Sequence, residues 1–95
     1  MATGQGTEVI NFGAFPGSNE TSVVVSAPGI TAGSKAEAFM MGDDTSADHT
    51  ASDHRYAAAL MGLTCGTPGT GSFTIYARSI EKLQGQFSVR FVWAD

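Results

Sequence analysis

Residues 84–93 alternate in side-chain character, with Val92 the one apolar side chain among the polar positions. Phe87, Val89, Phe91 and Trp93 fall on one side of an extended chain, and Gln86, Ser88, Arg90 and Val92 fall on the other. A period of two does not build a helical face; it describes a strand with one dry side. That side holds three aromatic rings, so the rest of the fold or a neighbouring subunit has to cover it. A chain ending this way is expected to be all-β.

The remaining segments agree with that class. Residues 7–14 set Ile10, Phe12 and Ala14 against Glu8 and Asn11. Residues 20–27 centre on the β-branched run Val23-Val24-Val25, which favours extended backbone. Residues 35–41 place Ala36, Ala38 and Met40 on one side, and residues 72–78 place Phe73, Ile75 and Ala77 on one side. Between them stand Phe15-Pro16-Gly17-Ser18-Asn19, Pro28-Gly29 and Thr67-Pro68-Gly69-Thr70-Gly71, whose Pro and Gly residues mark turns. Residues 79–83 read as a short connection. Residues 55–65 suit either state: Ala57, Ala59, Met61 and Leu63 share a strand parity, while Tyr56-Ala57-Ala58-Ala59-Leu60-Met61 favours a helix by propensity. Gly62, Thr64 and Gly66 tip the reading to a strand. The expected architecture is a small antiparallel β-sandwich or open barrel of about six strands.

Two segments break the pattern. Residues 1–6 are small, polar and glycine-containing, and read as a flexible N-terminal arm before a single β domain over residues 7–95. Residues 42–55 carry four of the nine acidic residues and both histidines with no apolar periodicity. They read as a long polar loop with at most one helical turn, capped by Thr45 or Ser46. The expected core is Ile10, Phe12, Val23, Val25, Ala36, Ala38, Met40, Leu63, Phe73, Ile75, Phe87, Val89, Phe91 and Trp93.

Composition limits the partners. Ninety-five residues make one small domain, for which oligomerisation adds buried surface cheaply. A net charge of −4 with five dispersed basic residues argues against nucleic acid. No apolar run is long enough to cross a membrane, and the N-terminus lacks the order of a secretory signal. Charged residues make up 15% of the chain, against about 25% in an ordinary soluble protein. A surface so poor in charge is easily covered by protein neighbours. Cys65 is alone and reads as a small buried hydrophobe.

Chemistry has few candidates. Asp48-His49 and Asp53-His54 repeat one pair five residues apart, and these four side chains are of types that ligate metals. On a helix the offset turns through about 500°, leaving His49 and His54 about 140° apart. On a strand it places them on opposite sides. No metalloprotease signature accompanies them, and a solvated loop whose Asp and Ser side chains bond local backbone is the expectation. The glycine-rich residues 66–71 lack the Lys and following helix of a phosphate loop. No nucleophile elbow is present. Met40 and Met41 read as core and interface filler. Neither an enzymatic activity nor a cofactor is expected. Arg55, Tyr76, Arg78 and Arg90 are the candidate interface residues, Tyr76 and Arg78 by their shared outward parity.

Four segments carry a resemblance. They are Val9-Ile10-Asn11-Phe12-Gly13-Ala14-Phe15-Pro16-Gly17-Ser18-Asn19-Glu20, Ala47-Asp48-His49-Thr50-Ala51-Ser52-Asp53-His54-Arg55, Gly71-Ser72-Phe73-Thr74-Ile75-Tyr76-Ala77 and Gly85-Gln86-Phe87-Ser88-Val89-Arg90-Phe91-Val92-Trp93. In these the chain resembles small structural proteins and C-terminal modules of tailed bacteriophages and prophages, of head-decoration or tail-associated type. The resemblance spans nearly the whole sequence and brings no catalytic motif. It implies a virion protein present in many copies. The leading expectation is a capsid decoration or cement protein that contacts copies of itself, a trimer being the order that suits a capsid's local three-fold axes, and the major capsid protein. The alternatives are a tail or fibre component, and a ligand- or carbohydrate-binding β-module stacking on Tyr56, Tyr76 or Trp93.

Overall fold

A computed structural model describes residues 2–95. The elements run β1 (Thr3–Asn11), β2 (Ser18–Ser26), β3 (Lys35–Phe39), α1 (Ala51–Leu60), β4 (Met61–Cys65), β5 (Ser72–Leu83) and β6 (Gln86–Ala94). They form two antiparallel three-stranded sheets, ordered β1-β6-β3 and β2-β5-β4. The all-β expectation holds. Each sheet is built on one of the two cleanest alternating segments, β6 or β5, as its central strand. Strand β1 lies beside β2 along one seam and β3 beside β4 along the other. No helix among the described residues is long and apolar enough to cross a membrane.

Inward side chains of both sheets make one core. Phe87, Val89, Phe91 and Trp93 of β6 are buried, as are Phe73, Ile75 and Ala77 of β5. Phe73 meets Phe91 across the sheets edge to face, with ring centroids 5.3 Å apart. Ile10, Phe12, Val25 and Ala38 are buried as expected; Val23, Ala36, Met40 and Leu63 are half-buried against the same cluster. Ala27, Ile30 and Ala57 join it without having been anticipated. The first two belong to a loop that Gly71 ties down. Ala27 N–H donates to the Gly71 carbonyl (2.9 Å) and Gly71 N–H donates to the Ile30 carbonyl (3.0 Å).

Several local expectations are corrected. The arm expected over residues 1–6 is strand from Thr3 onward, paired residue for residue with β6 from Thr3↔Ala94 to Asn11↔Gln86; Met1 lies outside the described residues. Its glycines are the reason. Gly4 and Gly6 occupy inward positions, opposite Trp93 and Phe91. A Cβ at Gly6 would stand 2.8 Å from the Phe91 ring, and one at Gly4 would overlap the Trp93 indole. The missing side chains give the rings their space.

The strand expected over residues 55–65 is helix up to Leu60, so the irregular segment ends at Thr50 rather than at residue 55. Thr50, not Thr45 or Ser46, is the N-cap. Its hydroxyl accepts from Asp53 N–H (3.2 Å), while the Asp53 carboxylate accepts from Thr50 N–H (3.1 Å), a reciprocal capping box. Residues 79–83, expected as a connection, continue β5.

Candidate functional site

The polar segment 42–50 and α1 lie against one edge of β6. Strand β3 pairs with β6 only from Ala94 to Arg90, which leaves the edge open over residues 86–88. Side chains take the place of the missing strand. Asp48 Oδ2 accepts from Gln86 N–H (2.8 Å), and Ser46 Oγ donates to the Gln86 carbonyl (2.5 Å). His54 Nε2 accepts from Ser88 N–H (2.9 Å), and Ser88 Oγ donates to the Thr45 carbonyl (2.7 Å). Just beyond, Arg90 donates to both carboxylate oxygens of Asp44, at 2.9 and 2.8 Å. Backbone groups on an open sheet edge need partners wherever water is excluded. Here the backbone groups of Gln86 and Ser88 are met by three side chains, Ser46, Asp48 and His54, while Asp44 and the Thr45 carbonyl hold the Arg90 and Ser88 side chains.

The two histidines converge on one ring. His49 stacks on Phe87 at 4.0 Å with the planes 9° apart, and His54 meets the same ring edge on at 5.3 Å. Phe12 closes a third side at 6.0 Å. His54 is fully buried. A backbone N–H can only donate, so Nε2 of His54 must be the bare nitrogen, and Nδ1 carries the hydrogen that it gives to the Thr50 carbonyl (2.8 Å). Both groups that face the His49 ring nitrogens are acceptors, the Gln84 carbonyl at 2.7 Å from Nε2 and Asp53 Oδ2 at 3.2 Å from Nδ1. Asp48 is pressed against Gly85, where a Cβ would stand 2.9 Å from its carboxylate.

Each of the four candidate metal ligands, Asp48, His49, Asp53 and His54, is thus bonded to backbone or cap groups. They do not converge on a common point, and no cluster of three or more metal-ligating side chains occurs among the described residues. The expected bonding of local backbone by Ser and Asp holds for Ser46, which accepts from His49 N–H (3.2 Å), and for Asp53, while Asp48 and His54 reach further and fasten segment 42–50 and α1 to β6. Their chemistry is that of fixed hydrogen bonds. No protein-family model, curated protein or solved structure matches this chain.

Carboxyl electrostatics follow the same contacts. The Arg90 guanidinium, through its hydrogen bonds above all, holds the Asp44 carboxyl below the usual carboxylate range. The Thr50 backbone N–H, followed by His49, lowers Asp53. At the far end of the sheet the Ala2 backbone N–H and then the Ser34 hydroxyl lower Asp95, which thereby ties the start of β1 to the loop before β3. Burial, with the Glu37 charge, pushes the half-buried Cys65 thiol up, away from the reactive thiolate.

The candidate interface residues are scattered. Arg90 is held by Asp44. Arg55 donates to the Gly42 carbonyl (2.8 Å) and stands 3.6 Å from Asp43. Arg78 pairs with Glu20 on the outer face of β2-β5-β4. Tyr76 is half exposed on that face, between Ser22 and Thr64 in register. Val24 (68% exposed) and Ile80 (80%) share it. Of the three possible stacking residues, Trp93 is buried and the Tyr56 hydroxyl donates to Glu81. Sequence reasoning passed over Phe15, which stands 84% exposed in the β1–β2 turn. Its position beside Pro16 and Gly17 marked a turn, and a ring at a turn tip was the available signal.

Proposed function

We propose that this chain is a structural subunit of a bacteriophage particle, of the head-decoration type, which acts by covering and joining neighbouring subunits. The observation that carries the reading is the outer face of β2-β5-β4, where Val24, Tyr76 and Ile80 lie exposed among Ser22, Gly62 and Thr64. The charges on that part of the face, Glu20 and Arg78, already neutralise each other. Covering such a face desolvates little charge and removes large apolar groups from water. The resemblance of four segments to tailed-phage structural proteins supports the same conclusion.

The test is mass spectrometry of purified particles from the phage or prophage that encodes the chain. The expected result is many copies per particle and, for particles assembled without it, earlier DNA release on heating. Absence from particles made in cells that contain the protein would refute the role. Labelled antibody that binds tails and not heads would move the chain to the tail.

A further inference from the structure

The β1–β2 turn, the segment before α1 and the β5–β6 turn meet around an open crevice of about 400 Å³. That size falls in the range of small-molecule sites, about 300–1,000 Å³. Phe15 contributes its ring, 84% exposed. Asn11, Asp48 and Gln84 contribute polar side chains to the same crevice. The lining is therefore mixed, an aromatic surface beside a few hydrogen-bonding groups.

The polar groups are positioned by bonds within the protein. Gly17 N–H donates to the Ala14 carbonyl and Gly85 N–H to the Gly13 carbonyl, both at 2.8 Å. Asn11 Oδ1 accepts from Gly13 N–H (2.8 Å), and Asp48 Oδ2 accepts from Gln86 N–H (2.8 Å). Each bond fixes one end of a side chain and leaves the other end open. Asn11 Nδ2, Asp48 Oδ1 and the Gln84 side-chain amide have no hydrogen-bond partner among the described residues. Asn11 is paired with Gln86 in register, and Asp48 holds the Gln86 N–H, so two of these open groups flank one residue. His49 also lines the crevice but adds no open group, since both of its ring nitrogens face acceptors of the protein.

These groups select a chemistry. A carboxylate oxygen only accepts and an amide nitrogen only donates, whereas a hydroxyl does both. Neighbouring hydroxyls therefore match Asp48 Oδ1 and Asn11 Nδ2 together. An exposed aromatic ring matches a flat patch of C–H groups. The crevice contains one carboxylate and neither Lys nor Arg, so a neutral ligand is favoured over an anion. A pyranose ring has hydroxyls around its rim and C–H groups on its faces. We propose that this crevice is a saccharide site for a neutral hexopyranose residue, with Phe15 against its C–H face and Asn11, Asp48 and Gln84 on its hydroxyls. The site goes beyond the structural role and does not depend on it. An open crevice with one ring and few polar groups binds weakly, with a Kd on the order of 1 mM for a single sugar.

Amide NMR of the isotope-labelled chain tests the site. The probes are the methyl glycosides of glucose, galactose and mannose, with glucuronate as the anionic control. At least one neutral glycoside is expected to give saturable shifts centred on Gly13, Phe15, Gly85 and Gln86. Three variants keep the fold and change the site. Phe15→Ala removes the ring from an exposed position. Asp48→Asn keeps an oxygen for Gln86 N–H and loses the carboxylate. Asn11→Asp keeps an oxygen for Gly13 N–H and loses the amide donor. Unshifted amides in β5 and in the Arg90–Ala94 part of β6 establish that each variant is folded. Each is expected to bind the sugar weaker by about tenfold or more. Glucuronate is expected to bind less well than the matching glucoside. The proposal is overturned by a lack of saturable shifts with every neutral glycoside, or by shifts centred elsewhere. Glucuronate binding as tight as that of the glucoside, or full affinity in Phe15→Ala or Asp48→Asn, overturns it as well.

Discussion

The indole of Trp93 lies across Gly4, its direct partner in the β1–β6 pair, where any side chain would occupy the same space. Phe91 covers Gly6 two residues along in the same way. Glycine weakens a strand by its freedom and by leaving nothing to pack. An aromatic neighbour that folds over it restores the packing and shields the edge backbone. The final strand thus supplies the bulk that the first strand lacks.

Gly6→Ala should destabilise the protein by about 1–3 kcal/mol, as overpacking does in a filled core. An ordinary Gly→Ala change at a compatible site stabilises by about 0.4–1 kcal/mol. The sign is therefore diagnostic. A urea midpoint that falls with an unchanged slope confirms the ring-over-glycine packing, and a midpoint that rises refutes it.

Phe91→Ala should cost about 3–5 kcal/mol. The ring is 8% exposed and packs on Phe73 of the facing sheet, so its loss opens a cavity between the layers. Denaturant unfolding measures the change; a midpoint equal to that of the wild type would place Phe91 outside the core.

Replacing His54 by Phe keeps a ring among Phe87 and Ala57 but leaves Ser88 N–H without an acceptor in a buried setting. An orphaned buried donor costs about 1–3 kcal/mol. His54→Gln, which can offer a carbonyl oxygen near the position of Nε2, should cost less. Amide exchange at Ser88 is the specific readout. It should accelerate beyond the global change in His54→Phe and not in His54→Gln.

Acid should weaken the fold through Asp44, Asp53 and Asp95. Their carboxyls titrate lower in the folded chain than in the unfolded one, so the unfolded state binds more protons in the acid window. Their contribution is complete above the unfolded carboxyl pKa of about 3.9 and disappears as pH falls through the lower folded values. Urea midpoints should hold steady from neutral pH down to that range and then drop. Asp44→Asn should lower the neutral midpoint and flatten the acid drop. An acid limb of unchanged steepness in this variant would remove Asp44 from the account.

Legibility in the sequence followed the range of the forces involved. The alternation in residues 72–78 and 86–93 marked β5 and β6, because strand parity is a property of adjacent residues. The capping box of α1 was also local, written in Thr50 and Asp53, yet the glycines and threonine after Leu60 drew the whole stretch toward a strand. The two states share it, with the change at Met61. His49 and His54 can share a site only through irregular backbone, because helix and strand geometry both hold them apart. They meet on Phe87 because one precedes the helix and the other lies within its first turn, and the ring that joins them is more than thirty residues away.

By itself the sequence determined the class of the fold, the positions of most strands and which of their faces are dry, since each of these depends on side-chain order along a few consecutive residues. Only the tertiary structure decided that Thr3–Gly6 is strand, that β1 joins β6 while β2 joins β5, and that the acidic and histidine side chains are struts for the open edge of β6. Those outcomes depend on contacts between residues far apart in the chain. A glycine reads as slack until the ring above it is known, and His54 reads as part of a solvated loop until the backbone N–H it receives is in place.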